Sequence, residues 1–282
     1  MKMSFKSMLC LLLLAFISQA NAAIALVQKN TAAVFSTTAS VSLSSVGAGH
    51  LVVLELYGSA SGTPTVSETA PGTDTVNTAV AYGCNATPNA CVGIYYIQNS
   101  VGGTTTLQVT FTASTGIGLV EIEYSGAATT GALDSATAIN SATNSSTVST
   151  ASLTPASSGE LGVVGAAITT NSTVTWSAPF TSQETQIGNT IHGTYADEIG
   201  TTGAITPSGT ISLGNSGWAA AMVLFKAASG GGSCTHDGIT SAGAIAIPNG
   251  TSGTYRLTSG ALGTPDCSTV SYKQTQGAVG VN

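Results

Sequence analysis

The chain has 282 residues, of which only 6% are charged and 6% aromatic, and its formal net charge is −6. A charge content so far below the roughly 25% of ordinary globular domains argues against a nucleic-acid partner, because phosphate binding relies on clustered Lys and Arg. Ser, Thr, Gly, Asn and Ala fill the gap, while recurring Val, Ile and Leu runs supply the core-forming segments that disordered chains lack.

The chain opens with Lys2 and Lys6, an apolar core from Met8 to Ile17, and Ala20-Asn21-Ala22. A basic start, a short apolar core and an A-x-A site predict a secretory signal peptide over residues 1–22, too short in its core to anchor in a bilayer. Cys10 precedes most of the apolar core and leaves with the signal. Lys29, Lys226, Arg256 and Lys273 then stand against twelve acidic residues, a formal net charge of −8. The most apolar later segment, Trp218 to Phe225, is strand-sized, so no membrane span is expected. The expected location is secreted or at the cell surface.

From Ile24 onward the pattern is strand, turn, strand. The first set of predicted strands is 24–28, 39–43, 51–57, 79–82, 92–98, 105–112 and 118–124, and the second is 148–153, 161–168, 173–176, 185–187, 190–195, 209–213 and 218–226. Gly, Pro, Asn and Ser clusters separate most of them at sandwich-like spacing, and helical periodicity is absent. Two runs stand out: Leu51 to Tyr57 after Gly49-His50, and Leu161 to Ile168 after Gly159-Glu160. Both are apolar at successive positions, the mark of a strand buried on both faces.

The two sets read as weak copies, since Leu107 to Thr110 before Val120 to Tyr124 parallels Thr210 to Leu213 before Ala221 to Phe225. The expected fold is an all-β, antiparallel β-sandwich, jelly-roll-like with weak internal duplication, over residues 23–228; two immunoglobulin-like halves, 23–126 and 127–228, are the alternative division. Ala25-Leu26-Val27-Gln28, Gly49-His50-Leu51-Val52-Val53, Tyr95-Tyr96 before Gly102-Gly103, Glu123-Tyr124-Ser125-Gly126 with Asp134, Ala196-Asp197-Glu198, and Trp218 through Phe225-Lys226 together resemble a family of exported bacterial β-sandwich modules. Members often sit beside fibronectin-like or carbohydrate-active domains. The resemblance implies an extracellular module and transfers no catalytic residue.

Residues 229–233 form a Gly/Ser linker by composition. Residues 234–282 are expected to make a small β tail, closed by Cys234 and Cys267. Cys84 and Cys91 are expected to staple a short loop; four cysteines in an exported chain point to disulfides, and their spacing lacks the C-x-x-C of a metal site.

Glu121 and Glu123, two apart on a strand, share one face, and Glu55 on the neighbouring apolar run would join them if the strands pair. Such an acidic cluster has the separation that glycosidases use; the plainer expectation is that Glu121 and Glu123 face solvent while Val120, Ile122 and Tyr124 face the core. These carboxylates, or Asp74 and Asp197-Glu198, leave calcium as the one cofactor in view, without a D-x-D-x-D-G loop to hold it. His192 with Asp197 and Glu198 lacks a nucleophile in a G-x-S-x-G turn. Trp176, Tyr95, Tyr96 and Tyr195 are the candidate ligand-binding aromatics, since an exposed ring stacks on a sugar face. The expectation is therefore a non-catalytic binding or surface-structural protein whose partner is an extracellular polysaccharide. The alternatives are a secreted glycoside hydrolase or lyase using the three glutamates, and a subunit of an extracellular or phage-like assembly.

Overall fold

The computed structural model describes residues 23–228 except 85–89 and 188–191; the signal segment, the linker, the tail and its Cys234 and Cys267 lie outside the described residues. The strands are β1 (Ala25–Val46), β2 (Leu51–Gly58), β3 (Thr65–Ala70), β4 (Asn77–Cys84), β5 (Cys91–Ile97), β6 (Gly103–Ser125), β7 (Leu133–Ala136), β8 (Asn140–Ser145), β9 (Thr147–Ser149), β10 (Glu160–Ile168), β11 (Val174–Trp176), β12 (Thr181–Ile187), β13 (His192–Thr201), β14 (Ser208–Ile211) and β15 (Ser216–Phe225). All pairings are antiparallel. One six-stranded sheet runs β1-β6-β2-β5-β4, with β3 also on β6, and a second runs β12-β13-β10-β15-β7, with β8 also on β15. The expected all-β, antiparallel sandwich is what the chain forms.

Two strands are far longer than the sequence suggested. The pairs of short strands expected at 24–28 and 39–43, and at 105–112 and 118–124, are single continuous strands of 22 and 23 residues, β1 and β6. The Ser, Thr and Gly residues between the expected pieces read as turns. They mark instead a bend in a continuous ladder, where the register jumps from Ser36↔Thr115 to Thr38↔Thr110. Beyond the bend, residues 38–46, residues 103–110 and β3 lie as a layer over the outer face of the first sheet, burying Val41, Leu43, Leu107 and Val109 against Val52, Leu54 and Leu56. The side-chain amides of Gln28 and Asn30 donate to the backbone carbonyls of Ser44 and Ser42 at 2.7 and 2.8 Å, tying the two arms of β1 across the bend.

The second sheet is covered in the same way by a three-stranded sheet, β11-β14-β9. It packs Val148, Val174, Trp176 and Ile211 on Val164, Ala166, Ile168, Ala220 and Met222. Between the two large sheets lies the third cluster, Leu51, Val53, Ile94, Val120 and Ile122 against Leu161, Val163, Ala221, Val223 and Phe225. Each Val, Leu, Ile or Phe side chain among them contributes about 1.5–3 kcal/mol on burial. Strands β2, β5, β10 and β15 are therefore buried at every position, which is why Leu51–Gly58 and Glu160–Ile168 carry apolar residues on both faces.

The two halves share one strand plan. β2 lies between β6 and β5 as β10 lies between β15 and β13, and the ladder pairs Leu51↔Tyr124 and Val53↔Tyr96 match Leu161↔Phe225 and Val163↔Asp197. Across the seam the sheets stack in opposite order, β1 on β12, β6 on β13, β2 on β10, β5 on β15 and β4 on β7, an approximate two-fold arrangement. The Cys84–Cys91 disulfide forms, joining directly opposed residues of β4 and β5.

The seam is close enough to require glycine at particular places. A Cβ on Gly193 would collide with the Tyr57 ring, whereas one on Gly203 would meet nothing within 4 Å. Gly193→Ala is expected to lower stability by about 1–3 kcal/mol through overpacking, and Gly203→Ala to stay close to wild type, as read from urea unfolding midpoints.

Candidate functional site

The structure separates the residues that the sequence placed together. Side chains alternate along a strand, so Glu55 on β2 points into the seam with Leu51, Val53 and Tyr57, while Glu121 and Glu123 on β6 point to the opposite face of the same sheet. Glu121 and Glu123 do share a face, but Glu55 does not join them. Nor do they face solvent: all three are 0% exposed, because the bent arms of β1 and β6 cover the face that Glu121 and Glu123 occupy.

Each carboxylate has its own surroundings. Glu123 is held by three donors: Gln28 Nε2 at 2.6 Å, the Gly47 amide at 2.7 Å and His50 Nδ1 at 2.5 Å. Glu121 has none; both its oxygens are buried without a hydrogen-bond partner, as is Oε1 of Glu68 on β3. Burial, and the nearby Glu68 carboxylate, push the Glu121 carboxyl up to about 9. Its counterpart in the second half, by ladder position, is Met222. Glu55 is likewise raised well above the usual carboxylate range by burial.

The four candidate aromatics are also interior. Trp176, Tyr95 and Tyr96 are 6%, 7% and 8% exposed and Tyr195 is 0% exposed, so none offers a face to a sugar. Tyr95 and Tyr96 are adjacent on a strand covered on both sides, and each enters a different core cluster. Tyr96 stacks edge-on against Phe225 with centroids 5.2 Å apart. Trp176 donates through Nε1 to Thr194 Oγ1 at 3.1 Å beneath the outer sheet. His192 and Asp197 lie five residues apart on β13 and point to opposite faces, so they form no dyad. No group of three or more His, Cys, Asp or Glu side chains suited to a metal occurs among the described residues.

What the surface does present is a cleft that the sequence reading missed. It has a volume of about 440 Å³ and is lined by Thr73, Asp74, Thr75 and Asn77 on one side and Gln98, Asn99, Thr129 and Thr130 on the other. Loops after β3, β5 and β6 bring these residues together, so no local motif announces them. Asp74 builds the wall. Its carboxylate accepts from Ser100 Oγ at 2.9 Å and the Val101 amide at 3.0 Å, and its own amide donates to Glu68 Oε2 at 2.8 Å. Gln98 is fixed through its carbonyl oxygen, which accepts from the Ala132 amide at 3.0 Å. Asn99 adopts a left-handed backbone, φ 58°, beside Gly49. The lining thus offers hydroxyls and amides, with its one acid already engaged in the protein.

The Glu121 carboxyl gives a signed prediction. A folded-state value above the ordinary 4.5 means that the folded chain holds a proton the unfolded chain has released, so this group's contribution to stability falls as pH rises from about 4.5 to about 9. Glu121→Met, which copies the second half, should raise the urea midpoint at neutral pH. The gain should grow by up to about 1.4 kcal/mol per pH unit until about pH 9. No family model, curated protein or solved structure matches this chain.

Proposed function

We propose that the protein is an exported, non-catalytic module that binds a neutral extracellular polysaccharide through the cleft between the 71–77, 98–99 and 129–130 segments. The observation that carries this reading is the lining itself. Thr73, Thr75, Asn77, Asn99, Thr129 and Thr130 place short hydroxyl and amide groups around a space of sugar size, without a Lys or Arg that would call for an anionic ligand. Uncharged hydroxyls of a glycan satisfy such donors and acceptors in both directions. The chain's low charge and its signal-like first 22 residues agree with work outside the cell. Because the cleft lacks an aromatic platform, each contact is weak, and binding gains strength from repeated engagement along a polymer.

A second reading has its own observation. β1 is an edge strand of the first sheet and carries exposed Val27, Val34 and Phe35, the last 67% exposed, a feature that suits a subunit of a surface assembly. A glycoside hydrolase or lyase would need two carboxylates at one accessible place, whereas Glu55, Glu121 and Glu123 are buried on two faces of one sheet.

Retention of residues 23–282 on a panel of insoluble and gel-embedded polysaccharides, with and without calcium, tests the proposal. Retention on a neutral polymer should fall at least tenfold in a Gln98→Ala/Asn99→Ala/Thr130→Ala variant and stay unchanged in Phe35→Ser. No retention on any polymer, together with concentration-dependent oligomers abolished by Phe35→Ser in sedimentation velocity, would replace the binder with the assembly subunit.

A further inference from the structure

The seam between the two large sheets holds a polar string in an otherwise apolar layer. Tyr57 Oη meets Glu55 Oε2 and also lies 2.9 Å from the backbone carbonyl of Thr194 on β13. Further along, Tyr124 Oη bonds to Tyr195 Oη and to Asp197 Oδ2 at 2.8 Å, and Gln183 Nε2 donates to Asp197 Oδ1 at 2.9 Å. Proton counting orders both parts. A phenol has one hydrogen and a backbone carbonyl only accepts, so a Tyr57 hydroxyl that donates to Thr194 has no hydrogen left for Glu55. The hydrogen in the Glu55–Tyr57 bond then belongs to Glu55. In the second part, Tyr124 donates to Asp197 Oδ2, which leaves Tyr195 as the donor to Tyr124, and Gln183 donates to Asp197 Oδ1, while burial raises the Asp197 carboxyl above the usual carboxylate range.

The surroundings of Glu55 agree. Its carboxyl group rests on the backbone of β10, where a Cβ on Gly165 would fall 2.5 Å from the carboxyl carbon, and its Oε1 has no hydrogen-bond partner. Facing it are Tyr57 from its own strand, Gly165 from β10 and Tyr195 from β13, with the Asp197 carboxylate beyond Tyr195. Lys29, exposed on the edge strand β1 and paired with Ile122, acts on Asp197, His50 is bonded to Glu123 on the other face of the first sheet, and His192 points to the other face of β13. No cation among the described residues pairs with Glu55.

We infer that Glu55 is a protonated carboxylic acid in the folded protein, donating to Tyr57, and that this proton is a latch: its loss to base places an unpaired charge in the seam and parts the two sheets. While the proton stays, the second sheet is docked through Tyr57 to the Thr194 carbonyl. Once it leaves, the Tyr57 hydrogen turns from the Thr194 carbonyl to the new carboxylate, and an unpaired negative charge stands in a water-poor layer. The latch therefore closes in acid and at neutral pH and opens in base.

The direct test is the side-chain carboxyl carbon of Glu55 in wild-type protein labelled with ¹³C-glutamate, followed from pH 5 to pH 10. A resonance at the protonated position at pH 7 supports the latch, and one at the ionised position overturns it. The companion is unfolding by urea across the same range in wild type and Glu55→Gln, whose amide still donates to Tyr57. The wild-type folding constant should fall relative to the variant by about tenfold per pH unit above the ordinary glutamate range. Equal slopes in the two proteins would overturn the inference. If Glu55→Gln does not fold, hydrogen exchange of the wild-type β10 amides decides instead: acceleration with pH beyond that of the β14 amides supports the latch, and parallel behaviour sinks it.

Discussion

The constraint on which this fold depends is the covering of both faces of its two large sheets. An ordinary sandwich leaves one face of each sheet wet, so half of every strand is free to be polar. Here the bent arms of β1 and β6 cover one sheet, β9, β11 and β14 cover the other, and the sheets close on each other. A polar side chain on β2, β5, β10, β15 or the 115–124 stretch of β6 must then find a partner inside the protein or stay neutral. Glu123 takes the first course, with three donors, and Glu55 and Glu121 take the second.

The shared strand plan gives each of these residues an internal reference. By ladder position Glu121 stands opposite Leu54 as Met222 stands opposite Val164, and Glu123 corresponds to Leu224, Tyr124 to Phe225 and Tyr195 to Ile94. In each case one half has an apolar residue where the other is polar. The polar groups are thus additions to a packing scheme that works without them. This sets them apart from the apolar positions, whose character both halves keep.

Much of the architecture was legible in the sequence because it follows from burial. Leu51 to Tyr57 and Leu161 to Ile168 advertise two covered faces, and Cys84 and Cys91 advertise their bond. The long strands were not legible, because a bent ladder and a pair of hairpin arms use the same Ser, Thr and Gly residues around 36–38 and 111–116. Glu121 and Glu123 alternate with Val120, Ile122 and Tyr124, the pattern of a half-wet strand; what covers them comes from residues 38–46 and 65–70, and no local pattern carries that information. The adjacent Tyr95 and Tyr96 were candidates for a binding surface only while one side of β5 was taken to be open. The cleft was invisible for a related reason: Asp74, Gln98 and Thr130 meet only once β4 and β5 and the 129–130 loop are in place.

The meeting of Glu55 with Gly165 has a wider consequence. The two residues hold the same place in their respective halves, β2 and β10, and they lie against each other across the seam. Two identical chains associating through an isologous contact would set this position against itself, glutamate on glutamate or glycine on glycine: a clash of acids in one case and an empty space in the other. Carrying both halves in one polypeptide removes that self-complementarity requirement. The central contact is free to be a lock with a different key, and any exchange of halves between two molecules is tied to the pairing of one particular acid with one particular gap.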